Sequence, residues 1–476
     1  MTENTQTEPQ PITINPDLAK RIQDEIGQNV YLCYQCVKCT SGCPLNEYFD
    51  WQPNQIMRAV QLGQEEIALD SKTPWLCAAC QTCSTRCPQG LDITAIMEFL
   101  TREALERGFK PQIPEVDRFN KAFMRELGLW GRSYELGLMM ELKLRNIRTH
   151  SLMEDMDLGV KVILKNKMPF IPKRVRAPRK VKPIPKAGQA VAYYPGCSLH
   201  STGKEFNIST LAVCEALDFE LIEPQGWVCC GSSAAHRTDP EAALRLPLQN
   251  LSIIEQSGFS EVTMPCAACF NRHKAAQYEI NQGHGTQTVK ELAKDFPYKG
   301  TVSVSSLTEA IFRRIGPKDV ANKVKKPLSG LKVVCYYGCL MTRPPQVTGV
   351  THYENPTEMD DLMTALGAEV LDWSYKTTCC GAAHSLTRPD IVLNLSANLI
   401  EHARQSGADV IAVACPLCHT NLDARQFQMK LGEPMPVLYF TQLMSLALGL
   451  PVKSAALDKN LVDPQHLLKR KGILPV

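Results

Sequence analysis

Cysteine spacing constrains this chain more than any other feature of its sequence. Of the twenty cysteines in 476 residues, eighteen fall into four spaced sets. The segment Met1–Pro16 has neither a basic start nor an apolar core, so we expect a short disordered tail and no secretory signal. Without export the cysteines stay reduced, and close-spaced thiolates are metal ligands. The pattern therefore predicts metal centres and not a disulfide framework.

The first two sets share one spacing. Residues 33–44 and 77–88 each read C-x2-C-x2-C-x3-C-P, the spacing of bacterial ferredoxins that hold two [4Fe–4S] clusters. Three cysteines at steps of three wrap one face of a cubane cluster, and the fourth points to the other cluster. Zinc would leave the third cysteine of each run without a role. The predicted ligands are Cys33, Cys36, Cys39 and Cys87 for one cubane cluster, and Cys77, Cys80, Cys83 and Cys43 for the other.

The other two sets form an internal repeat. Each copy has one cysteine after an apolar run, then Cys-Cys-Gly, then Cys-x-x-Cys, in the same order and with similar gaps. Neighbouring side chains point apart, so the vicinal pair suits two iron atoms of one cluster better than one tetrahedral ion. Five thiolates also exceed what a cubane cluster or zinc needs, which favours an unusual iron–sulfur cluster per copy. Zinc on four of the five cysteines, or a vicinal disulfide without metal, is the alternative. The five are Cys197, Cys229, Cys230, Cys266 and Cys269 in the first copy, and Cys339, Cys379, Cys380, Cys415 and Cys418 in the second.

Apolar runs and helical periods place these motifs in a mixed α+β and α/β fold. The runs Val333–Tyr337 and Asp409–Ala414 read as strands that lead into cysteines, and Asp390–Arg404 reads as a helix stopped by Gly407. Strands that alternate with helices predict parallel sheets, with functional groups at the carboxyl ends of the strands. A single amphipathic helix is expected over Pro53–Leu69. The expected domains are a helical ferredoxin-like domain (17–110), a helical connector with a basic, proline-rich linker (111–186), and two α/β cysteine-rich modules (187–325 and 326–476).

Charge and hydropathy limit the kinds of partner and the cellular location that we expect. A formal charge of +3 gives no reason to expect nucleic acid. No apolar run reaches about 18 residues, so no membrane span is predicted, and Val437–Leu450 is expected to be a buried helix. The segment Pro169–Pro185 is basic and proline-rich without an acidic residue, and it reads as a solvated linker; docking on an acidic partner or an anionic lipid surface is the alternative. We expect a cytoplasmic protein, with peripheral association at the inner face of the membrane as a further option.

The repeated pattern resembles the B subunit of heterodisulfide reductase. The sequence segments that carry the resemblance are CYYGCLMTRP, TTCCGAAHSLTRPD and ACPLCHTNLDARQ. The amino-terminal part resembles the C subunit, and the fused order resembles the D subunit of the membrane-linked enzyme. Iron–sulfur subunits of glycerol-3-phosphate, glycolate and lactate dehydrogenases share it more loosely.

The resemblance implies a noncubane [4Fe–4S] cluster on the five cysteines of each module, in addition to the two cubane clusters, with zinc in one module as a lesser alternative. It implies that a small thiol or disulfide substrate reacts between the modules. The implied partner is a flavoprotein or a membrane-bound electron-transfer subunit. A disulfide or thiol oxidoreductase subunit is the favoured function. The alternatives are an electron conduit to a quinone or another protein, and a zinc scaffold, which the complete set of ten cysteines disfavours.

Five further side chains near the motifs are candidates for substrate contacts. A proton donor, or an arginine that binds an acidic substrate group, would be useful at such a site. Hydrogen bonding to local backbone or exposure to solvent is the alternative for each. Cys214 and Cys335 lie in apolar stretches and are expected to pack in the core. The candidates are His236, Arg237, His384, Arg388 and His419.

Overall fold

The protein, analysed as a computed structural model, forms two compact units. The first comprises Met1–Cys77 and Cys83–Ile113, and the second comprises Ala78–Thr82 and Pro114–Val476. The structure describes residues 16–145, 156–176, 178, 181–185, 187–282, 291 and 297–475. The tail expected at the amino terminus therefore lies, except for Pro16, outside the described residues.

The first unit is helical. Its helices are α1 Asp17–Ile26, α2 Lys38–Ser41, α3 Pro53–Gln61, α4 Glu65–Leu69, α5 Thr73–Leu76, α6 Thr82–Arg86, whose first residue belongs to the second unit, and α7 Ile93–Glu106. Leu18 and Ile22 of α1 are spaced by four residues and pack with Ile56 of α3 and Phe99 of α7 in one core. Asp92 caps α7 by accepting a hydrogen bond from the Ala95 amide at 3.0 Å.

The prediction of one helix over Pro53–Leu69 is wrong, because the structure has two helices there. Gly63 has a φ of +65°, a conformation that glycine adopts at little cost and that ends a right-handed helix. The Gln64 amide donates to the Ala59 carbonyl at 2.8 Å and closes this end of α3. The apolar period continues across the break, and for this reason the sequence reads as one helix.

The second unit begins with helices and continues into two α/β modules. The helices are α8 Pro114–Trp130, α9 Glu135–Arg145, α10 Met156–Leu164, α11 Lys204–Ala216, α12 Ser232–Thr238, α13 Pro240–Gln256, α14 Ala267–Gln282, α15 Leu307–Arg314, α16 Pro317–Asn322, α17 Pro345–Thr348, α18 Glu358–Ala365, α19 Pro389–Gln405, α20 Pro416–His419, α21 Gln426–Met429, α22 Phe440–Ala447 and α23 Gln465–Arg470. Pro416 occupies the first turn of α20, as expected, where proline costs no hydrogen bond.

Each module contains a four-stranded, wholly parallel sheet. The strands are β1 Val191–Tyr193, β2 Leu221–Ile222, β3 Glu261–Met264 and β4 Ser303–Ser306 in the first module, and β5 Lys332–Tyr336, β6 Glu369–Val370, β7 Val410–Val413 and β8 Val437–Tyr439 in the second. The spatial orders are β2-β1-β3-β4 and β6-β5-β7-β8. Ala192 pairs with Val262 in one sheet, and Val334 pairs with Ile411 in the other. The predicted fold class is confirmed, and the two modules share one topology.

The carboxyl-terminal apolar run is not one helix, which corrects a second expectation. Val437–Tyr439 forms the edge strand β8 beside β7, and the helix α22 starts only at Phe440. In a run of only three buried apolar residues, the hydrophobic period cannot tell a strand from a helix. Here the pairing with β7 makes the run a strand. Among the described residues no helix has the length and hydropathy needed to span a bilayer.

One hydrophobic core runs through both modules. Phe206 of α11, in the first module, stacks on Tyr439 of the second with ring centroids 4.2 Å apart. Val213 lies in the same core as Leu443. Side chains of this size each contribute roughly 1.5–3 kcal/mol when fully buried. The modules are therefore held together by apolar packing.

Candidate metal centres

The three motifs of each module lie at the carboxyl ends of three adjacent strands. In the first module Cys197 follows β1, the pair Cys229 and Cys230 comes after β2, and Cys266 and Cys269 follow β3. Because β2, β1 and β3 are neighbours in a parallel sheet, their carboxyl ends meet at one edge. The second module repeats this arrangement on β5, β6 and β7. The topology thus brings the five cysteines of each module to one place.

Sulfur atoms within each module come into contact. The Sγ atoms of Cys230 and Cys269 are 3.6 Å apart, and those of Cys380 and Cys418 are 3.7 Å apart. These four cysteines are between 2% and 6% exposed. Each module therefore contains a group of thiols that is largely shielded from water.

The two thiol groups meet at one pair of cysteines. Cys266 of the first module interacts with Cys415 of the second, in addition to its contact with Cys269. Both residues follow the corresponding strand, β3 or β7, by two positions. The ten cysteines therefore form one continuous site that spans both modules.

Hydrogen bonds between the thiols divide the protons unevenly. The Cys229 thiol holds the pKa of Cys230 well below its ordinary value. In the same way the Cys266 thiol lowers the pKa of Cys415. The hydrogen bond to Cys197 raises the pKa of Cys229 well above its ordinary value, so within each group some sulfurs favour the thiolate form and others keep their protons.

The donor set fits iron–sulfur clusters in residue type. All twenty cysteines are free thiols in this structure. Five thiols gather in each module, and thiolates are the ligands of [4Fe–4S] clusters. Within the described ranges, no group of three or more His, Cys, Asp and Glu side chains is arranged to hold a single metal ion.

A glycine before the first cysteine of each module makes room for a sulfur. Gly196 and Gly338 both have a φ of +74°, and a Cβ on either would lie 2.9 Å from the Sγ of Cys269 or Cys418, respectively. Both the left-handed backbone and the close sulfur require glycine. The same two constraints recur in both modules, so the glycine belongs to the site.

A tyrosine that the sequence reasoning missed holds each vicinal cysteine pair. The Tyr194 hydroxyl donates to the Val228 carbonyl at 2.7 Å, and the Tyr336 hydroxyl donates to the Thr378 carbonyl at 2.6 Å. Both carbonyls belong to the residue just before the pair. The signal in the sequence is a tyrosine three residues before the first cysteine of each module.

A second brace, also missed, differs between the modules. In the first, Asn250 accepts from the Val228 amide at 2.8 Å and contacts the ring of His273 at 3.2 Å. In the second, the Asn421 amide donates to the Cys380 carbonyl at 3.2 Å and to its sulfur at 3.6 Å. Only Asn421 was in a motif singled out from the sequence, and no residue pattern distinguishes the two braces.

Two of the five substrate candidates are histidines buried in the second module. His419 has its Nε2 3.0 Å from the Val437 carbonyl, and its ring stacks on Tyr439 with centroids 4.2 Å apart. His384 is fully buried, with Nδ1 3.3 Å from the Thr387 hydroxyl. These contacts hold both rings in place against their own module.

The other three candidates lie close to the Cys-Cys-Gly turns, Arg388 just before α19 and both His236 and Arg237 within α12. Arg388 donates to both carboxylate oxygens of Asp390, at 2.8 and 2.5 Å. In α12, which follows the first turn directly, Arg237 is buried and His236 is half-buried. Cys214 and Cys335 lie in the core as predicted, and burial raises the pKa of Cys214 to about 12.

The two amino-terminal runs share an unusual backbone. Gln35 and Val37 in the first run, and Ala79 and Gln81 in the second, all have φ between +51° and +65°. A left-handed conformation costs a residue with a side chain roughly 1–2 kcal/mol. Because the same two positions are left-handed in both runs, this backbone conformation indicates a loop that places its cysteines for ligand binding.

The tip of the second run belongs to the second unit. Cys80 interacts with Cys379, which lowers the pKa of Cys80 to about 6. The Thr82 hydroxyl accepts a hydrogen bond from Arg343 at 3.0 Å, and Arg343 also donates to the Thr377 carbonyl at 2.9 Å. The segment Ala78–Thr82 is therefore attached next to the vicinal cysteines of the second module.

Comparison with known proteins divides the chain in the same way as its motifs. The family model of the cysteine-rich domain matches twice, over residues 191–272 and 333–423. The family model of the 4Fe-4S dicluster domain matches residues 32–92. These matches, together with the two thiol-rich parallel sheets, define an iron–sulfur electron-transfer subunit that binds [4Fe–4S] clusters.

Curated relatives cover both parts. The chain is 34% identical to the 8-methylmenaquinol:fumarate reductase membrane anchor subunit of Wolinella succinogenes, over 58% of this chain and 98% of that protein. It is 27% identical to the B subunit of the ferredoxin/F(420)H(2)-dependent CoB-CoM heterodisulfide reductase of Methanosarcina acetivorans, over 59% and 96%. It is 35% identical to an iron–sulfur C subunit of the CoB–CoM heterodisulfide reductase of Methanocaldococcus jannaschii, over 18% and 45%. The chain belongs to the heterodisulfide reductase family, as a fusion of a C-subunit-like and a B-subunit-like part.

Proposed function

We propose that this protein is an oxidoreductase subunit that reduces, or in reverse forms, a disulfide at the junction of its two cysteine-rich modules. The observation that carries the proposal is the contact between Cys266 and Cys415, which joins the thiol groups of the two modules. A disulfide has two sulfur atoms, and a site with two equivalent halves provides one position for each.

Each module would hold a noncubane [4Fe–4S] cluster on its five thiolates. The amino-terminal runs would hold two cubane clusters on the ligands that the spacing predicts. When bound, such clusters supply electrons one at a time. One disulfide, two electrons and two protons yield two thiols, and the same balance holds in reverse.

The chain itself positions the reacting groups and excludes water. Tyr194 and Tyr336 fix the vicinal cysteines by their hydrogen bonds to the preceding carbonyls. The buried thiols lie at the edge of a close-packed core, where the low dielectric strengthens charge interactions. The contact between Cys80 and Cys379 supports entry of electrons from the second cubane cluster into the second module.

The electron donor would be a flavoprotein or a membrane-bound subunit that docks at the first cysteine run. Cys36 is exposed there, and the neighbouring side chains of Tyr31, Tyr34 and Trp51 are 56%, 58% and 40% exposed. Large aromatic side chains are typical anchors of protein interfaces. With such a donor the protein would act in the cytoplasm or at the inner face of the membrane.

Electron paramagnetic resonance on anaerobically purified holoprotein tests the proposal. The protein is oxidised with and without a panel of small thiols, and a Cys415→Ser variant is compared with Cys335→Ser, whose thiol is buried outside the motifs. A paramagnetic signal that depends on one thiol, persists in Cys335→Ser and is lost in Cys415→Ser supports disulfide chemistry. A spectrum that no thiol alters, with normal cubane signals, would refute it.

A second function is a pure electron conduit between a quinone pool and a dehydrogenase. The observation that favours it is the 34% identity to a subunit of a menaquinol:fumarate reductase, a higher value than that for the heterodisulfide reductase B subunit. In that case the clusters would be reduced by a quinol through a partner, and thiols would leave their spectra unchanged.

A further inference from the structure

A cavity of about 140 Å³ lies between the two modules, within the second unit. The first module contributes the start of α15 to its wall, and the second contributes segments after β5 and before α18. A cavity of this volume holds a ligand of about six non-hydrogen atoms, the size of benzene. The described wall includes no cysteine, so the cavity is separate from the thiol site.

Two buried threonine hydroxyls in this wall have no partner. The Oγ1 atoms of Thr308 and Thr342 make no hydrogen bond within the part of the chain that the structure describes, and the two residues are only 2% and 1% exposed. Buried polar atoms of this kind are rare in native proteins, because they lose their hydrogen bonds to water and gain none in return. One threonine belongs to each module. The two hydroxyls therefore indicate a polar ligand that contacts both modules.

Two carboxylates line the same cavity. Glu309 and Glu358 lie in the first turns of α15 and α18 and are half-buried. Burial raises the pKa of Glu309 against the opposing charges of Lys274 and Arg313. The charge of Glu358 adds to this rise. The Arg313 guanidinium is 3.7 Å from the Glu309 carboxylate, but its side chain is 48% exposed, so the pair is weak. Since the described wall includes no Lys, Arg or His side chain, it presents negative charge to a ligand.

The duplication provides an internal comparison, because the modules contact each other through two equivalent pairs of helices. A helix after the first strand of each module packs against a helix after the last strand of the other: α11 against α22, and α18 against α15. Near the start of α11, the ammonium of Lys167 lies 2.6 Å from the buried Glu205 carboxylate. Near the start of α18 lies the cavity, with Glu358 in its wall. Lys376, which is buried in the second module, pairs with Asp360 at 2.7 Å and does not line the cavity. The first pair thus indicates which group suits this position, namely an ammonium beside a carboxylate.

We infer that the cavity binds a small organic cation with a primary ammonium group and at most about six non-hydrogen atoms. The ammonium would pair with Glu309 and Glu358. It would donate to the hydroxyl of Thr308 or Thr342, and the carbon chain of the ligand would lie against Phe270. A metal ion fits less well, because among the described residues no group of three or more His, Cys, Asp and Glu side chains is arranged to hold one. A neutral ligand would not compensate the charge of the two carboxylates. The inference does not depend on disulfide chemistry.

Thermal unfolding of the holoprotein with ethanolamine or ethylene glycol tests the inference. The two compounds have the same number of non-hydrogen atoms, and ethanolamine carries an ammonium group where ethylene glycol carries a hydroxyl. Both are added at the same pH and ionic strength. A ligand that binds only the folded protein raises the unfolding midpoint in a saturable way. We expect this rise with ethanolamine, with a dissociation constant about ten-fold lower than that of ethylene glycol.

Matched variants assign the binding to the cavity. Glu309→Gln combined with Glu358→Gln should weaken ethanolamine binding about ten-fold. Glu401→Gln should bind ethanolamine as the parent protein does, since Glu401 makes a similarly long contact with Arg404, at 3.9 Å, but lies outside the wall. Thr308→Val should weaken binding about five-fold without lowering the midpoint of the unliganded protein, because its hydroxyl has no partner among the residues described.

Several outcomes would overturn the inference. Equal shifts with ethanolamine and ethylene glycol, or no saturable shift with ethanolamine, would exclude an ammonium site. Equal losses of binding in Glu401→Gln and in the double variant would place the binding outside the cavity. A lower unliganded midpoint in Thr308→Val would show that the hydroxyl has a partner within the fold, and the argument for a polar ligand would fail.

Discussion

Replacing Gly338 by alanine should displace one sulfur ligand from the second module. The residue has a φ of +74°, and an added Cβ would lie 2.9 Å from the Cys418 Sγ. The left-handed backbone alone costs about 1–2 kcal/mol. Relief of the sulfur contact adds about 1–3 kcal/mol, the usual cost of inserting a methyl group into a packed site. The total loss in the free energy of unfolding is about 2–5 kcal/mol.

Gly330 in the same module supplies the control. Its φ is +76°, and nothing lies within 4 Å of a Cβ placed there. Gly330→Ala therefore carries the backbone cost without the sulfur contact. The difference between the two variants isolates what the close approach of Cys418 contributes.

Two measurements on the anaerobically purified variants decide the matter. Denaturant unfolding gives the stability difference, which we expect to be about 1–3 kcal/mol between Gly338→Ala and Gly330→Ala. Iron analysis should show the loss of about a quarter of the bound iron in Gly338→Ala, because one of the four proposed clusters would fail to assemble. Equal stability and equal iron content in the two variants would refute the assignment of Gly338 to the site.

Three other changes test the supports around the site. Tyr336→Phe removes the hydrogen bond to the Thr378 carbonyl and should lower the free energy of unfolding by about 1–3 kcal/mol. It should also speed the loss of iron to a chelator, and unchanged iron retention would contradict the bracing role. Lys167→Met breaks the buried ion pair with Glu205, 2.6 Å long, and should cost about 3–5 kcal/mol by denaturant unfolding, much of which a second change of Glu205→Leu should restore. Burial raises the pKa of Glu126 to about 7. Its contribution to stability is therefore fully present below its unfolded pKa and is lost as pH rises toward 7. Between pH 5 and pH 8 the denaturation midpoint of Glu126→Gln should fall less than that of the parent protein, and an identical fall would exclude Glu126 as the cause.

The positions of the motifs were predictable, because local signals determine them. An apolar run of four or five residues before a cysteine reads as a strand that ends at a ligand, and β5 and β7 do end at Tyr336 and Val413, just before Cys339 and Cys415. A duplicated pattern also predicts duplicated topology, and the two sheets have the same strand order. The ligand sets of the individual clusters stay predictions.

What the sequence could not provide are the features that arise from tertiary contacts. The meeting of Cys266 and Cys415 depends on how two separate modules pack, and no spacing within either module encodes it. Left-handed backbone is usually marked in a sequence by glycine, but here it occurs at Gln35, Val37, Ala79 and Gln81. The loop conformation places the cysteines, and the local preferences of these residues do not predict it. Short edge strands such as β8 likewise depend on their neighbours more than on their own residues.

Comparison of the two modules separates the contacts that both cysteine groups share from the contacts that distinguish one group from the other. The glycines at 196 and 338 and the tyrosines at 194 and 336 make equivalent contacts in both modules, as expected of groups that fix ligand positions. The braces differ: His273 and Asn250 support the backbone before the first vicinal pair, whereas Asn421 donates to the Cys380 sulfur itself. Hydrogen bonds to ligand sulfur and local burial tune the reduction potential of an iron–sulfur cluster. Under the function proposed above, the contact of the Cys80 loop with the second module would make a cluster beside Cys380 the first of the two to receive electrons. Duplication thus supplies two equivalent halves of one site, and the unequal braces would give clusters bound there different reduction potentials.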